Sequence, residues 1–213
     1  MIHSPRGTRE PPSPSGGEPD PPAAGLTDAR LIELSRSEPE LFAELYDRHA
    51  PSIHRYVRRR LGEQAAEDVV ADTFLAAFRR RDGYDTGRPN ARPWLYGIAA
   101  NLIGRHRRSE TRMLRALART GVDPVGDTAT ERVDERVSAS SSARRLAGAL
   151  AGLSARDRET LLLAAWEDLT YEQIGEALSV PVGTVRSRLN RARRKVREAL
   201  GGTDPTGIEE ATG

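Results

Sequence analysis

Apolar residues recur at spacings of three and four along two stretches of this chain, and nowhere do they alternate as a half-buried strand would require. The first stretch runs from Asp28 to Arg119. Within it Leu41, Phe42, Leu45, Tyr46, Ile53, Tyr56, Val57 and Leu61 form one stripe, with Pro51 placed to break it. Val70, Phe74, Ala77 and Phe78 form a second stripe. Leu95, Ile98, Ala99 and Leu102 form a third, opened by Pro93 in a first turn, where its missing N–H costs nothing. Between the second and third lies Asp82–Arg92 (DGYDTGRPNAR), a loop by composition. Periodicity is lost over residues 120–142, returns from Ala143 to Leu200, and stops at Gly201–Gly202.

The pattern predicts an all-α protein of two small helical domains joined by a flexible linker. Residues 1–25 hold seven of the 14 prolines and read as a disordered extension. The first module spans 26–112, the linker 113–142 and the second module 143–200, and 201–213 form a flexible acidic tail. No repeat of solenoid length is apparent.

Composition narrows the function classes. The chain has no cysteine, which excludes a disulfide framework, a thiolate nucleophile and a Cys-ligated metal centre. Its longest strongly apolar run, Leu161–Trp166, is far short of the roughly 20 residues that cross a bilayer. No apolar stretch follows Met1, so neither a secretory signal nor membrane insertion is expected, and a cytoplasmic location is. The four histidines lack metal-ligand spacing, and no cofactor is expected.

The net charge of +2 conceals a strong segregation. Residues 93–119 carry +5 and residues 184–200 carry +6, whereas the segment 120–142 and the tail carry −3 each. Nearly all the basic residues are arginine, a bias that codon usage in a GC-rich genome would produce; its placement is the informative part. Two arginine-rich helices, one per module, point to a phosphate-binding surface.

The second basic helix has two distinct faces. With Val185 as origin, Leu189, Ala192, Val196 and Leu200 fall within about 60° of it at 100° per residue. Gly183, Arg186, Ser187, Asn190, Arg194 and Arg197 gather on the other side, roughly 100–200° away. Arginine pairs bidentately with guanine, asparagine with adenine, and serine with either. Upstream, Thr170–Leu178 predicts a short helix capped by Thr170 with Ile174 and Leu178 inward, and Ser179-Val-Pro-Val turns the chain. Helix, tight turn and exposed second helix make a helix-turn-helix.

The block from Leu153 to Leu200 resembles region 4, the −35-binding domain of bacterial sigma factors. Response-regulator output domains share a similar pattern, so this module alone leaves both classes open. The resemblance implies that Gly183, Arg186, Ser187 and Asn190 read bases. It implies that Thr184, Arg188, Arg191 and Arg193 mainly hold phosphates, with Arg194 on the same DNA-facing side.

In the first module Asp68 and Asp72 lie at i, i+4, off the apolar stripe. By themselves they fit acid–base catalysis, a metal site or a solvated face, yet no third ligand or nucleophile lies nearby. The third stripe carries a row of its own. Asn101, Arg105 and Arg108 fall within about 40° of Trp94 on a continuous helix, a set suited to unstacked bases and their backbone. Together AEDVVADTFLAAF and RPWLYGIAANLIGRHRR resemble sigma-factor region 2 in its extracytoplasmic-function (ECF) form, and the short linker fits that group. The resemblance implies docking of the Asp68/Asp72 face, with Phe74, on the clamp coiled coil of core RNA polymerase. It implies −10 contacts from Trp94, Asn101, Arg105 and Arg108, with the Asp82–Arg92 loop holding a base flipped from the melted non-template strand. Partners would then be core polymerase, promoter DNA both duplex and melted, and, as is common in the family, an anti-sigma factor. The family often has arginine at Gly97 and Ala100 and glutamine at Ala71, so fewer phosphate and polymerase contacts are implied here.

The function expected is that of a non-enzymatic promoter-specificity subunit, nucleoid-associated during initiation. The alternative is a helix-turn-helix transcription regulator with an N-terminal sensor or dimerisation domain. A nucleic-acid-processing enzyme would need a metal cluster or nucleophile–base pair that the sequence does not offer.

Overall fold

The computed structural model describes residues 25–120 and 133–201, with backbone alone over 133–140. The extension up to residue 24, residues 121–132 of the linker and the tail from 202 lie outside the described residues. What is described is helical, without a strand. The helices are α1 (Asp28–Leu34), α2 (Phe42–Leu61), α3 (Glu63–Arg80), α4 (Arg92–Arg105), α5 (Arg107–Thr120), α6 (Val133–Gly152), α7 (Ala155–Trp166), α8 (Tyr171–Leu178) and α9 (Val182–Ala199).

In the first module α2, α3 and α4 pack around Leu45, Ile53, Tyr56, Val57, Val70, Phe74, Leu95 and Ile103, all buried. The expected break at Pro51 does not occur: α2 runs through it. Pro51 is exposed, so the carbonyl it leaves unpaired faces water, while the buried Ala50 and Ile53 hold the helix on its other face. The turn into α3 needs Gly62, whose φ of 87° lies in the left-handed region. Asp28 ties α1 to the rest. Its carboxylate accepts from the backbone N–H of Ala91 at 2.9 Å and meets the His49 ring at 2.8 Å and Arg48 at 3.4 Å.

The third stripe does not run on as one helix. α4 ends at Arg105, His106 leaves helical geometry (φ −93°, ψ 16°), and α5 begins at Arg107 and reaches Thr120. Helix α6 starts at Val133, so helix occupies both ends of the segment 113–142, and α5 and α6 pack together. Leu146 and Leu114 turn toward the core, which explains why these ends hold helix despite their polar composition.

The second module is built from α6, α7, α8 and α9. Thr170 caps α8 in a reciprocal box: its Oγ1 accepts from the Gln173 N–H at 3.2 Å, and Gln173 Oε1 accepts from the Thr170 N–H at 2.9 Å. Ser179 ends α8 in the left-handed conformation and Pro181 precedes α9. At Gly175 a Cβ would stand 2.8 Å from the Val180 carbonyl oxygen, so the tight turn requires glycine there.

Two predictions follow from local geometry. Gly175→Ala forces that backbone apart and lowers stability by about 1–3 kcal/mol in thermal unfolding, despite the ~1 kcal/mol helix preference of alanine. For Asp28, burial pushes the carboxyl pKa up, but the His49 and Ala91 hydrogen bonds and the Arg48 charge outweigh it and hold the pKa below its ordinary value. A depressed acid stabilises above its unfolded pKa and loses that contribution as pH falls through the folded one. The stability gap between the unaltered chain and Asp28→Asn therefore narrows below about pH 4. Denaturant titrations across that range would measure it.

Candidate nucleic-acid interface

Helix α9 presents the two faces its sequence predicts. Val185, Leu189, Ala192 and Val196 are buried against the module core, while Gly183, Arg186, Ser187, Asn190 and Arg194 are exposed. Thr184 and Arg188 are half-buried. The Ser187 hydroxyl donates to the Thr184 carbonyl at 3.0 Å, leaving its oxygen lone pairs to accept. Two further arginines are held by partners, Arg191 although exposed and Arg193 in a buried position. Arg191 is held in a bidentate pair with Asp157, at 3.0 Å for each bond. Burial raises the Asp157 pKa, but the Arg191 and Ser154 hydrogen bonds bring it below the usual carboxylate value. Arg193 is buried, with Tyr171 Oη 3.5 Å from its Nη1. It sits about 80° from Val185 on the helical wheel, at the margin of the apolar face.

On α4, Trp94 is half-buried with its ring tilted 53° against Tyr84 at 4.9 Å, and Asn101 and Arg105 are exposed. Arg108 is exposed too, but the His106 break places it on α5, so it does not continue the row along α4. The Asp82–Arg92 loop is organised by Tyr84, which donates to the Arg88 carbonyl at 2.7 Å. Burial, with the Glu176 and Asp28 charges adding to it, pushes the Tyr84 pKa up to about 12. Tyr84, Trp94, Asn101 and Arg80 line one crevice.

Asp68 and Asp72 are exposed on α3, and Phe74 is buried beneath them. Phe74 makes an edge contact at 4.8 Å with Tyr46, which is 45% exposed, as is Leu75. These are the large exposed hydrophobics among the described residues. Periodicity places Tyr46 in a core stripe and Leu75 in none, so the sequence pattern gives no notice of this apolar surface. Asp72 and Leu75 share a groove with Arg79, Asn101 and Arg105, which makes the acidic face of α3 continuous with the basic face of α4.

The two modules are in contact. Arg60 on α2 is buried between Glu110 of α5, at 2.6 and 2.8 Å, and Glu159 of α7, at 2.5 Å. Arg158 of α7 reaches the other oxygen of Glu110 at 2.8 Å, and Tyr56 donates to Glu159. No pairing of residues 50–100 positions apart could be read from spacing. Gly97 and Ala100, where the family resemblance implies arginine, are buried on α4 facing the second module.

Among the described residues no helix is long and apolar enough to cross a membrane, and no group of three or more histidines, aspartates or glutamates is placed to hold a metal ion.

Comparison with known proteins agrees with this geometry. Residues 45–113 match the model of sigma-70 region 2, and residues 143–196 that of sigma-70 region 4. The ECF RNA polymerase sigma factor SigL of Mycobacterium tuberculosis is 37% identical over 174 residues, covering 81% of this chain and 96% of the relative. SigK of Mycolicibacterium vanbaalenii is 31% identical over 181 residues, covering 82% and 89%. Among solved structures, CnrH in complex with the cytosolic domain of CnrY aligns with a TM-score of 0.57 at 27% identity, covering 82% of this chain and 97% of CnrH. With both sigma regions present in order, and relatives aligned over nearly their whole length, the chain belongs to the ECF sigma factors of RNA polymerase.

Proposed function

We infer that this chain directs core RNA polymerase to specific promoters and promotes DNA opening at transcription initiation. The observation that carries the reading is the pairing of a two-faced helix, α9, behind a capped tight turn with an aromatic–amide–arginine surface on α4. The first suits the major groove of a duplex; the second suits an unpaired strand. The protein performs no bond chemistry. It contributes recognition, and the free energy of capturing exposed bases offsets part of the cost of unpairing them. Its place of work is the cytoplasm, on the nucleoid during initiation. An anti-sigma factor is a further partner that membership of the family supports.

Residue roles follow from exposure. Gly183, Arg186, Ser187 and Asn190 read −35 bases, with Thr184, Arg188 and Arg194 on phosphates. Arg191, pinned by Asp157, presents its remaining N–H groups to the backbone. Arg193, buried beside Tyr171, supports the helix from its edge and reaches a phosphate only by turning outward. Trp94, Asn101 and Arg105 meet the −10 strand, with Arg108 approaching it from α5. Asp68, Asp72 and the Tyr46–Phe74 pair, with Leu75 beside them, form the polymerase-docking face.

Run-off transcription with purified core polymerase tests the reading: promoter-specific transcripts appear without any other sigma factor, whereas an ordinary helix-turn-helix regulator yields none. Arg186→Ala relaxes discrimination at one −35 position by about 1–3 kcal/mol. Arg188→Ala instead weakens binding alike on all sequences and lowers the salt slope by about 1. Equal behaviour of the two variants in a competition assay would rule out the base-reading assignment. Asp72→Arg lowers core-polymerase affinity at least tenfold, by analogy with charge reversal at other interfaces; normal affinity in a pull-down titration would remove α3 from the docking face.

A further inference from the structure

The loop 82–92 stands beside the single-strand surface of α4: Gly83, Tyr84, Asp85 and Arg88 line the same crevice as Trp94 and Asn101. Its tip holds itself only weakly. Residues 85–90 are all exposed, and the bonds within the loop are short-range, from the Gly87 N–H to Asp85 Oδ1 at 3.0 Å and from the Tyr84 hydroxyl to the Arg88 carbonyl at 2.7 Å. Arg88 reaches Glu176 of α8 at 2.7 Å, which ties down one side chain and no backbone. A loop that has to be ordered by its ligand loses binding free energy to that ordering.

Helix α1 supplies the order in advance, at both roots of the loop. At the far root Asp28 Oδ2 accepts from the Ala91 N–H at 2.9 Å. Beside it the Ala29 N–H, one of the amides that a helix start leaves without an intrahelical partner, donates to the Pro89 carbonyl at 3.3 Å. At the near root Arg36 Nη2 donates to the carbonyls of Arg81 and Tyr84, each at 3.3 Å, and Arg81 Nε donates back to the Ser35 carbonyl at 3.2 Å. The first pair of contacts leaves the opening turn of α1 and the second its closing end, so the length of the helix sets the span between the roots. Helix α1 is itself fixed: Leu31 and Ile32 are fully buried, and His49 meets Asp28 at 2.8 Å. Its exposed charges pair with each other, Arg30 with Glu33 at 2.8 Å. Ala91 is also the cap residue of α4, so Asp28 fixes where that helix starts and hence where Trp94 stands.

We propose that α1 is a positioning element for −10 recognition: Asp28 and Arg36 hold the loop 82–92 in the shape that selects a −10 base beside Trp94, and touch no DNA themselves. This rests on the functional reading above and deepens it. Helix α1 precedes residues 45–113, the stretch that matches the region 2 model, so the role falls outside that match. Residues that lock a recognition surface from behind act on its selectivity, because a loosened surface accepts more than one base. Weakening the hold of α1 therefore lowers discrimination among −10 sequences and leaves −35 discrimination, which belongs to α9, as it was.

The test uses the full chain with core polymerase and two pools of duplex templates, one randomised across the −10 element and one across the −35 element. The fixed element of each pool is a sequence that the unaltered chain selects, and templates retained in polymerase complexes are sequenced. Arg36→Ala and Asp28→Asn should each lower discrimination at a −10 position at least about fivefold, the low end of what one base pair is worth, with the −35 pool unchanged. Arg36→Lys, whose ammonium has three N–H groups for the same two carbonyls, should keep most of the discrimination. Arg36 is exposed, so its loss does not endanger the core as a change at Asp28 does. Because the chain has no cysteine, Thr86→Cys takes a single nitroxide at the loop tip, and its spectrum in the free chain should sharpen in either background. Label mobility that neither variant raises would overturn the hold of α1 on the loop. A freed label with −10 discrimination intact would overturn its part in recognition, and equal losses in the two pools would reduce α1 to a folding element and overturn the proposal as well. The functional reading fails separately, by absence of promoter-directed run-off from the unaltered chain, and the label then still decides whether α1 holds the loop.

Discussion

A guanidinium cannot shed its proton to escape burial, so the position of Arg60 constrains everything around it. Burial disfavours its charge, and the surrounding Tyr56, Glu159 and Glu110 oxygens outweigh that and raise its pKa. Each of those oxygens makes its own demand. Glu110, itself fully buried, has to satisfy a second oxygen, and Arg158 does so from the other module. Glu159 takes both Arg60 and Tyr56. The chain of requirements runs from α2 through α5 to α7, so the relative placement of the two modules follows from charge neutralisation. Desolvation offsets much of the Coulomb gain in such a cluster. Its contribution is therefore chiefly to which arrangement forms, and less to how stable it is.

Helix α4 bears the consequence. Every residue from Leu95 to Ala100 is buried, a two-sided burial that a helix on a module's outer face would not show. Leu95 and Ile103 serve its own module, whereas Tyr96 packs on Tyr56 and donates its hydroxyl to Glu167 of the second. Gly97 is small because the backbone of α8 approaches there, and Ala100 lines a crevice with Leu178 of the same helix. The side chains proposed to meet nucleic acid are therefore those at the ends of α4, the half-buried Trp94 at its start and the exposed Asn101 and Arg105 at its close.

How much of this could be read from the sequence depended on the range of the interaction. The faces of α9 and the cap at Thr170 are set by residues within a turn or two of each other, and periodicity found them. Pro51 misled because a proline on an exposed face of a long amphipathic helix is tolerated. His106 ends α4 without glycine or proline to announce it, so the alignment of Arg108 with Trp94 was drawn through a break. The ionic cluster spans 99 positions between Arg60 and Glu159 and has no local signature. A partial signal existed even so: Arg60 follows Ile53 by seven and Tyr56 by four, which puts it on the core side of α2. Arg193, at the edge of the apolar face of α9, gave the same warning. A charged residue in register with a hydrophobic stripe announces a buried partner somewhere, but not which one.

The chemistry of the contact between modules also bears on solubility. Two modules joined through a large apolar patch would expose that patch whenever they parted, and exposed patches of that kind invite aggregation. Here arginines, glutamates, tyrosine hydroxyls and main chain around Gly97 take a large part in the contact, beside apolar groups of one cluster that runs through both modules. Large exposed hydrophobics among the described residues are confined to Tyr46 and Leu75, beside Asp72 on the face proposed to meet polymerase.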